Sequence, residues 1–393
     1  WPSAKGSLSV KFNKFFPAAC GFPAPKVPAL PSFPSGLFGK RTEASYRSAF
    51  SDTAAVSFAS GRYALASAMA HSGVVPGKRV LVPAYHCRTM IDPVVRHGGE
   101  AVLYPLNQDM TPDEASLESL LQANEGVAAI IVTHYFGFPQ PIELLRDWSD
   151  RHGISLIEDC SHAYVGSYHG TPLGRFGDWA IASPHKFYAC EQLGILLQNR
   201  SAASSKTVPR SWKDEFRAAW HALVQWADQL RRGLHLPSAD VLNYQVCGED
   251  KLVSDPGISK YFDAGMERAG GLRWSRWVAK FSSVGAIAER RRANYQAWLA
   301  VVREMPACNP LFPDLPDGVV PYMFPVWIED SGAFFALKRA GMPIFRWDEL
   351  GESECPFSAR ARLSLLHLPC HQGIGPREMD WMSGLLRMVL IKG

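Results

Sequence analysis

Trp179-Ala180-Ile181-Ala182-Ser183-Pro184-His185-Lys186 is a short strand-like run that closes on a lysine. About one strand–loop–strand unit upstream, Ile157-Glu158-Asp159 ends a second apolar run on a carboxylate. The apolar approach to Lys186 and the flanking Phe187 and Tyr188 predict a partly desolvated amine. Desolvation disfavours the charged ammonium, lowers its pKa and makes it a better nucleophile and proton carrier. The competing readings are ordinary ones: Lys186 as a surface lysine and Asp159 as a helix cap.

Outward from this pair, helical and extended patterns alternate. Tyr63 to His71 reads as a helix after Ser60-Gly61, and Arg79 to Val82 as a strand stopped by Pro83. Ala101 to Tyr104 is a further strand. Thr111-Pro112-Asp113-Glu114 predicts a helix start with a capping Thr, Pro at the first position and Glu three residues on. Val127 to Thr133 is a continuous apolar run, as in a strand covered on both faces. Ile142 to His152 is an amphipathic helix stopped by Gly153, and Ser155 to Ile157, Trp179 to Ala182 and Gly194 to Leu197 are strands. This alternation predicts an α/β fold with a mostly parallel central sheet between helices. In such sheets chemistry collects at the carboxyl ends of the strands, where Asp159, Lys186, Tyr85 and His134 all fall.

The flanks are less regular. Residues 1–49, rich in Pro, Gly, Phe and Lys, read as an extended arm that packs on something else. Trp212 to Arg232 reads as a helix with Trp220, Leu223, Trp226 and Leu230 along one stripe. Ala286 to Val302 reads as a long helix, Tyr322 to Ile328 as a strand, and Ser331 to Ala340 and Pro376 to Met388 as helices. The expected division is an arm over 1–49, a large domain over 50–270 and a smaller C-terminal α+β domain over 271–393.

The 393 residues are 47% hydrophobic and 20% charged, ordinary values for a globular enzyme. A net charge of +4 gives little ground for a nucleic-acid partner, and Arg290-Arg291-Arg292 reads as a solvated helix face. The eight cysteines show no metal-ligand spacing and read as reduced thiols. No run approaches a membrane span or reads as a signal peptide. The expected compartment is the cytoplasm, although the start at Trp1 rather than Met allows for N-terminal trimming.

A lysine and a carboxylate at neighbouring strand ends suit pyridoxal 5'-phosphate (PLP). The lysine joins the cofactor aldehyde, and the carboxylate keeps the pyridine nitrogen protonated, so that the ring withdraws electrons. Ser60, Gly61 and Arg62, at a helix start, are candidates for its phosphate. Ser183 is a second phosphate candidate.

Several motifs now line up in order: Ser60-Gly61-Arg62-Tyr63-Ala64-Leu65, Val82-Pro83-Ala84-Tyr85, His134-Tyr135-Phe136-Gly137, Ile157-Glu158-Asp159-Cys160-Ser161-His162, Gly174-x-x-Gly177-Asp178 and Lys186. Together they resemble the DegT/StrS-type aminotransferases, fold-type I PLP enzymes most of which aminate nucleotide-linked keto sugars. The likeness covers about residues 50 to 200 and recurs weakly at Arg291-Arg292-x-Asn294-Tyr295 and Leu366-His367-Leu368-Pro369-Cys370-His371.

The resemblance implies that Lys186 and Asp159 are the catalytic pair and that His162, where the family has Gln or His, meets the cofactor's ring oxygen. A satisfied histidine near a helix start is the other reading of His162. Cys87 stands where the family has a stacking aromatic, so Tyr85 or His86 takes that role or the register shifts. Arg62 replaces a Thr or Ser and either binds phosphate or points to solvent. Ser183 lies three residues before the lysine, whereas the sugar aminotransferases place their serine at the position of Ile181. The loop carrying Glu191 is shorter than the family's. The Asn-x-Arg motif that reaches a partner subunit's phosphate is missing, Leu272-Arg273-Trp274-Ser275-Arg276 being the nearest substitute. Arg346 and Arg362 suit a donor carboxylate but read more naturally as surface residues. The implied activity is transfer of an amino group from a donor such as glutamate to a keto group, by a homodimer with no nucleic-acid or membrane partner. The alternatives are a PLP-dependent lyase, dehydratase or carbon–carbon bond-forming enzyme, or a non-catalytic partner protein of the same fold.

Overall fold

The computed structural model describes residues 10–17, 21–37, 46–51, 55–200, 205–231, 233–237, 248–255 and 257–390. Its strands are β1 (Val10–Pro17), β2 (Val56–Phe58), β3 (Arg79–Pro83), β4 (Glu100–Tyr104), β5 (Val127–Thr133), β6 (Ser155–Asp159), β7 (Ser167–Tyr168), β8 (Thr171–Pro172), β9 (Trp179–Ala182), β10 (Gly194–Gln198), β11 (Gly248–Asp255), β12 (Asn309–Pro310), β13 (Met323–Trp327), β14 (Glu349–Gly351) and β15 (Leu365–Pro369). The helices are α1 (Gly61–His71), α2 (Arg88–Arg96), α3 (Glu114–Ala123), α4 (Ile142–His152), α5 (Trp212–Arg231), α6 (Arg273–Phe281), α7 (Val284–Arg303), α8 (Ser331–Arg339), α9 (Pro356–Ser364) and α10 (Pro376–Leu390).

The central sheet has seven strands in the order β2-β10-β9-β6-β5-β3-β4. From β9 to β4 every pairing is parallel, and β10 joins antiparallel to both β9 and β2. Successive strand residues point to opposite faces. Leu81, Ile130, Val132 and Leu156 enter one apolar core, and Val80, Val82, Ala129, Ile131 and Ile157 enter the other. Both faces are covered, which is why β5 carries no polar alternation. The parallel strands share one carboxyl edge, and that edge carries Asp159, His134 and the segments leading to Tyr85 and Lys186.

A three-stranded antiparallel sheet, β12-β13-β15, lies in the C-terminal part with α7, α8 and α10. The N-terminal arm supplies β1, the middle strand of a third sheet, between β11 and β14.

Three local expectations are corrected. Thr111 does not cap α3: its hydroxyl and N–H both bond Asp109 Oδ1, at 2.6 and 3.0 Å, and Asp113 takes the N-cap position. Helix α5 forms where expected, and along its stripe Trp220, Leu223 and Trp226 are exposed, while the small Ala218 and Ala222 are buried. Leu230's side chain lies outside the described residues. Arg290, Arg291 and Arg292 are not a solvated face, since each donates to backbone carbonyls of other segments. Arg346 and Arg362 are buried, Arg362 against Asp250 and Arg346 over the ring of Phe334 at 4.1 Å. Six cysteines are free thiols, whereas Cys20 and Cys247 lie outside the described residues. Among the described residues no helix is long and apolar enough to cross a membrane.

Candidate active site

Lys186 ends the turn Pro184–Lys186 that follows β9. Its side chain is partly buried, with Nζ 5.2 Å from the centre of the Tyr322 ring. Burial pulls the amine's pKa below its usual value; the negative potential of Cys87 and Asp159 opposes that and the Arg62 charge adds to it. Lys186, Cys87, Asp159 and Arg62 therefore feel one another electrostatically.

Asp159 is 7% exposed at the end of β6, and its Oδ1 accepts the N–H of Ser161 at 2.8 Å. Ser161 Oγ lies 3.1 Å from Ser183 Oγ. On the other side of Ser183 stands the start of α1. Ser60 is its N-cap, yet makes no side-chain cap bond. Gly61 packs so closely that a Cβ there would lie 2.3 Å from Ser183 Oγ. A side chain on Gly194 would strike the Ser60-Gly61 backbone, so β10 closes the cradle from behind. Hydroxyls of Ser161 and Ser183 thus meet at the helix N-terminus that Ser60 caps in position, an arrangement suited to a phosphate. With the lysine and carboxylate beside it, the residue set fits PLP.

Arg62 is partly buried and donates to the Tyr261 carbonyl. Cys87 is the N-cap residue of α2, with Sγ 3.0 Å from Thr89 Oγ1. Tyr85 is fully buried. Its ring stacks on Trp347 at 4.7 Å and its hydroxyl pairs with His367 Nε2 at 2.9 Å. The His86 ring is used up in holding β14: Nε2 accepts the Gly351 N–H at 3.1 Å and Nδ1 donates to the Cys87 carbonyl. His162 stacks on Tyr322 at 4.4 Å, and its Nδ1 accepts the Phe136 N–H. Burial first, then the charges of Lys186 and His367, push its pKa well below the usual value.

The neighbouring His134 serves the scaffold. It donates to Glu158 at 3.1 Å, and the fully buried Glu158 also accepts the N–H groups of Gly174, Phe176 and Gly177. Arg273 and Trp274 begin α6, where Glu215 accepts both N–H groups. The Glu191 carboxylate pairs with His221 on α5.

Sequence reasoning missed the C-terminal wall: Tyr322, Trp347 and His367 around Lys186, Tyr85 and His162. The motif around Leu366-His367 was the one available signal. Next to this site a cavity of about 820 Å³ is lined by Ser60, Arg62, His185, Arg210, Phe33 and Trp274, among others.

The chain resembles several known proteins. Over 179 residues the chain is 28% identical to GDP-perosamine synthase of Vibrio cholerae, covering 44% of this chain and 48% of that protein. Over 166 residues it is 31% identical to L-glutamine:scyllo-inosose aminotransferase of Streptomyces griseus, covering 39% and 38%. The chain thus spans half or less of the length of these curated relatives. Among solved structures it resembles the aminotransferase TlmJ from Streptoalloteichus hindustanus (TM-score 0.60, 19% identity, 86% of both chains). It also resembles Helicobacter pylori PseC, an aminotransferase of pseudaminic acid biosynthesis (TM-score 0.59, 15% identity, 86% and 87%). At these identities the likeness shows the fold alone, an α/β fold shared with these aminotransferases. Residues 33–206 match the model of the DegT/DnrJ/EryC1/StrS aminotransferases, a segment that holds Gly61, Asp159, Ser183 and Lys186.

Proposed function

We propose that the protein is a PLP-dependent aminotransferase that moves an amino group from an amino-acid donor, such as glutamate, to a keto group on a sugar or similar polyol, possessing an anionic nucleotide-like portion. The observation that carries the reading is the partly buried Lys186 amine beside Asp159, next to the Ser60–Gly61–Ser161–Ser183 cradle. The cradle would hold the phosphate, Asp159 the pyridine nitrogen and Lys186 the aldehyde carbon. When bound, PLP supplies an electron sink for the carbon that bears the amino group.

The chain's own groups supply the rest. The lowered pKa of Lys186 keeps a fraction of Nζ neutral, so it can attack a carbonyl carbon and later take and return a proton. Tyr322 and the neutral His162 wall that amine with rings and limit its contact with water. Arg62 and Arg210 on the adjoining cavity, with Phe33 and Trp274, offer charge and stacking to an anionic, ring-bearing acceptor. The exposed Trp212, Phe216 and Trp220 of α5 support a homodimer. The six free thiols suit the cytoplasm.

Treatment of the pure protein with PLP and then borohydride should fix a pyridoxyl group on the peptide containing Lys186. Prior incubation with glutamate or glutamine should deplete that label, and a keto sugar should restore it. Absence of label on Lys186 overturns the reading, and label that no amino donor depletes points away from transamination.

A further inference from the structure

Arg291 of α7 is fully buried, yet its guanidinium is spent on groups around Lys186. Nη2 donates to the Lys186 carbonyl at 2.6 Å. Nη1 donates to the carbonyls of Pro321 and Tyr322, both at 3.1 Å. Nε donates to Gln372 Oε1 at 3.1 Å, and Gln372 Nε2 in turn donates to the Phe187 carbonyl at 2.7 Å. The guanidinium carbon also sits 4.4 Å from the Phe187 ring centre.

One planar cation therefore grips the peptide of the lysine and the peptide of Tyr322, the residue whose ring lies under the lysine's amine. We propose that Arg291, with Gln372 as its second arm, is the positioning residue for Lys186: it fixes the amine against Tyr322 and keeps it out of water. The proposal rests on the reading of Lys186 as the cofactor lysine and adds the C-terminal segment as its holder. A guanidinium is suited to this because its donors lie in a rigid fork, so several carbonyls are held at fixed separation. Burial brings its pKa down to about 10, which leaves it charged at neutral pH. A lysine at the same place would keep the charge and lose the fork. Functional groups need placing to within about 0.5 Å, and such placement comes from groups behind them.

The test is competitive acylation of the protein with acetic anhydride across pH, read peptide by peptide with mass spectrometry. The exposed Lys213 serves as internal reference. In Arg291→Lys the Lys186 midpoint should move up by about one pH unit, as the loosened amine regains water. Lys213 should not move. Gln372→Glu leaves Arg291 its acceptor but turns the donor to Phe187 into an acceptor, and should shift Lys186 in the same direction by less. A Lys186 profile in folded Arg291→Lys that superimposes on the wild type overturns the proposal. If that variant does not fold, an unshifted profile in Gln372→Glu overturns it instead. Borohydride labelling of the wild type with PLP is run alongside: no pyridoxyl group on Lys186 defeats the cofactor reading, while the acylation profiles still decide the clamp.

Discussion

Lowering the pH from 7 to 5 should destabilise this protein steeply, because it buries neutral histidines. His86, His367 and His371 are 0%, 3% and 2% exposed. Burial holds their pKa values at about 4, about 3 and about 3. Two of them are also locked as one tautomer. His86 Nε2 accepts the Gly351 N–H and His371 Nδ1 accepts the Gly373 N–H, so a proton on either nitrogen would set donor against donor. In the unfolded chain each titrates near 6.5. Between those values the unfolded state binds protons that the native state does not, so stability is present above about pH 6.5 and is lost as pH falls toward the folded values. Each such histidine contributes about 1.4 kcal/mol per pH unit in that window, so the group contributes about 4 kcal/mol per pH unit, and roughly 6 kcal/mol in all from pH 7 to 5. Domains are stable by about 5–15 kcal/mol, so the loss is large. Most unfolded-state carboxylates titrate lower and do not mask it. Guanidinium unfolding at closely spaced pH values would measure the slope. A slope below one proton's worth, about 1.4 kcal/mol per unit, would refute the claim that these rings stay neutral in the native state.

Lys186→Ala should take up PLP without any borohydride-stable label, as seen by peptide mass. Gly61→Ala should weaken PLP binding at least tenfold in an equilibrium titration, because its Cβ would meet Ser183 Oγ at 2.3 Å. Pairing it with Ser183→Ala should recover part of the fold's stability, since that hydroxyl is the atom in the way; a double variant no more stable than Gly61→Ala would count against this packing. Glu158→Gln should turn one carboxylate oxygen into a donor facing the Gly174 N–H and His134. One opposed buried donor costs about 1–3 kcal/mol. Hydrogen exchange over residues 173–178 should accelerate roughly tenfold to a hundredfold, and unchanged exchange would refute the assignment.

What could be read from the chain follows from how far apart the interacting residues lie. Strand runs such as Val127 to Thr133 and Trp179 to Ala182 were legible because their apolar character is local and both faces are covered. Helix α4 was legible through Gly153, which adopts φ 64 at its C-cap. The positions of Asp159 and Lys186 were legible because each closes a local apolar run, at the end of β6 and in the turn after β9. The arginine run misled because a charge in sequence carries no record of the carbonyls it will meet: Ile374 for Arg290, Lys186 and Tyr322 for Arg291, Val319 for Arg292. On α5 the small alanines pack against the cavity while the tryptophans remain outside. A physical division emerges. The segment that matches the family model brings the amine, the carboxylate and the proposed phosphate cradle. The segment beyond residue 206 brings Arg291 and Tyr322, which meet Lys186, and Trp347 and His367, which meet Tyr85. On the proposed reading, substitutions in that wall should shift the pH dependence of acylation at Lys186 before they abolish its borohydride-stable labelling with PLP, and loss of the label with an unchanged pH profile would refute this.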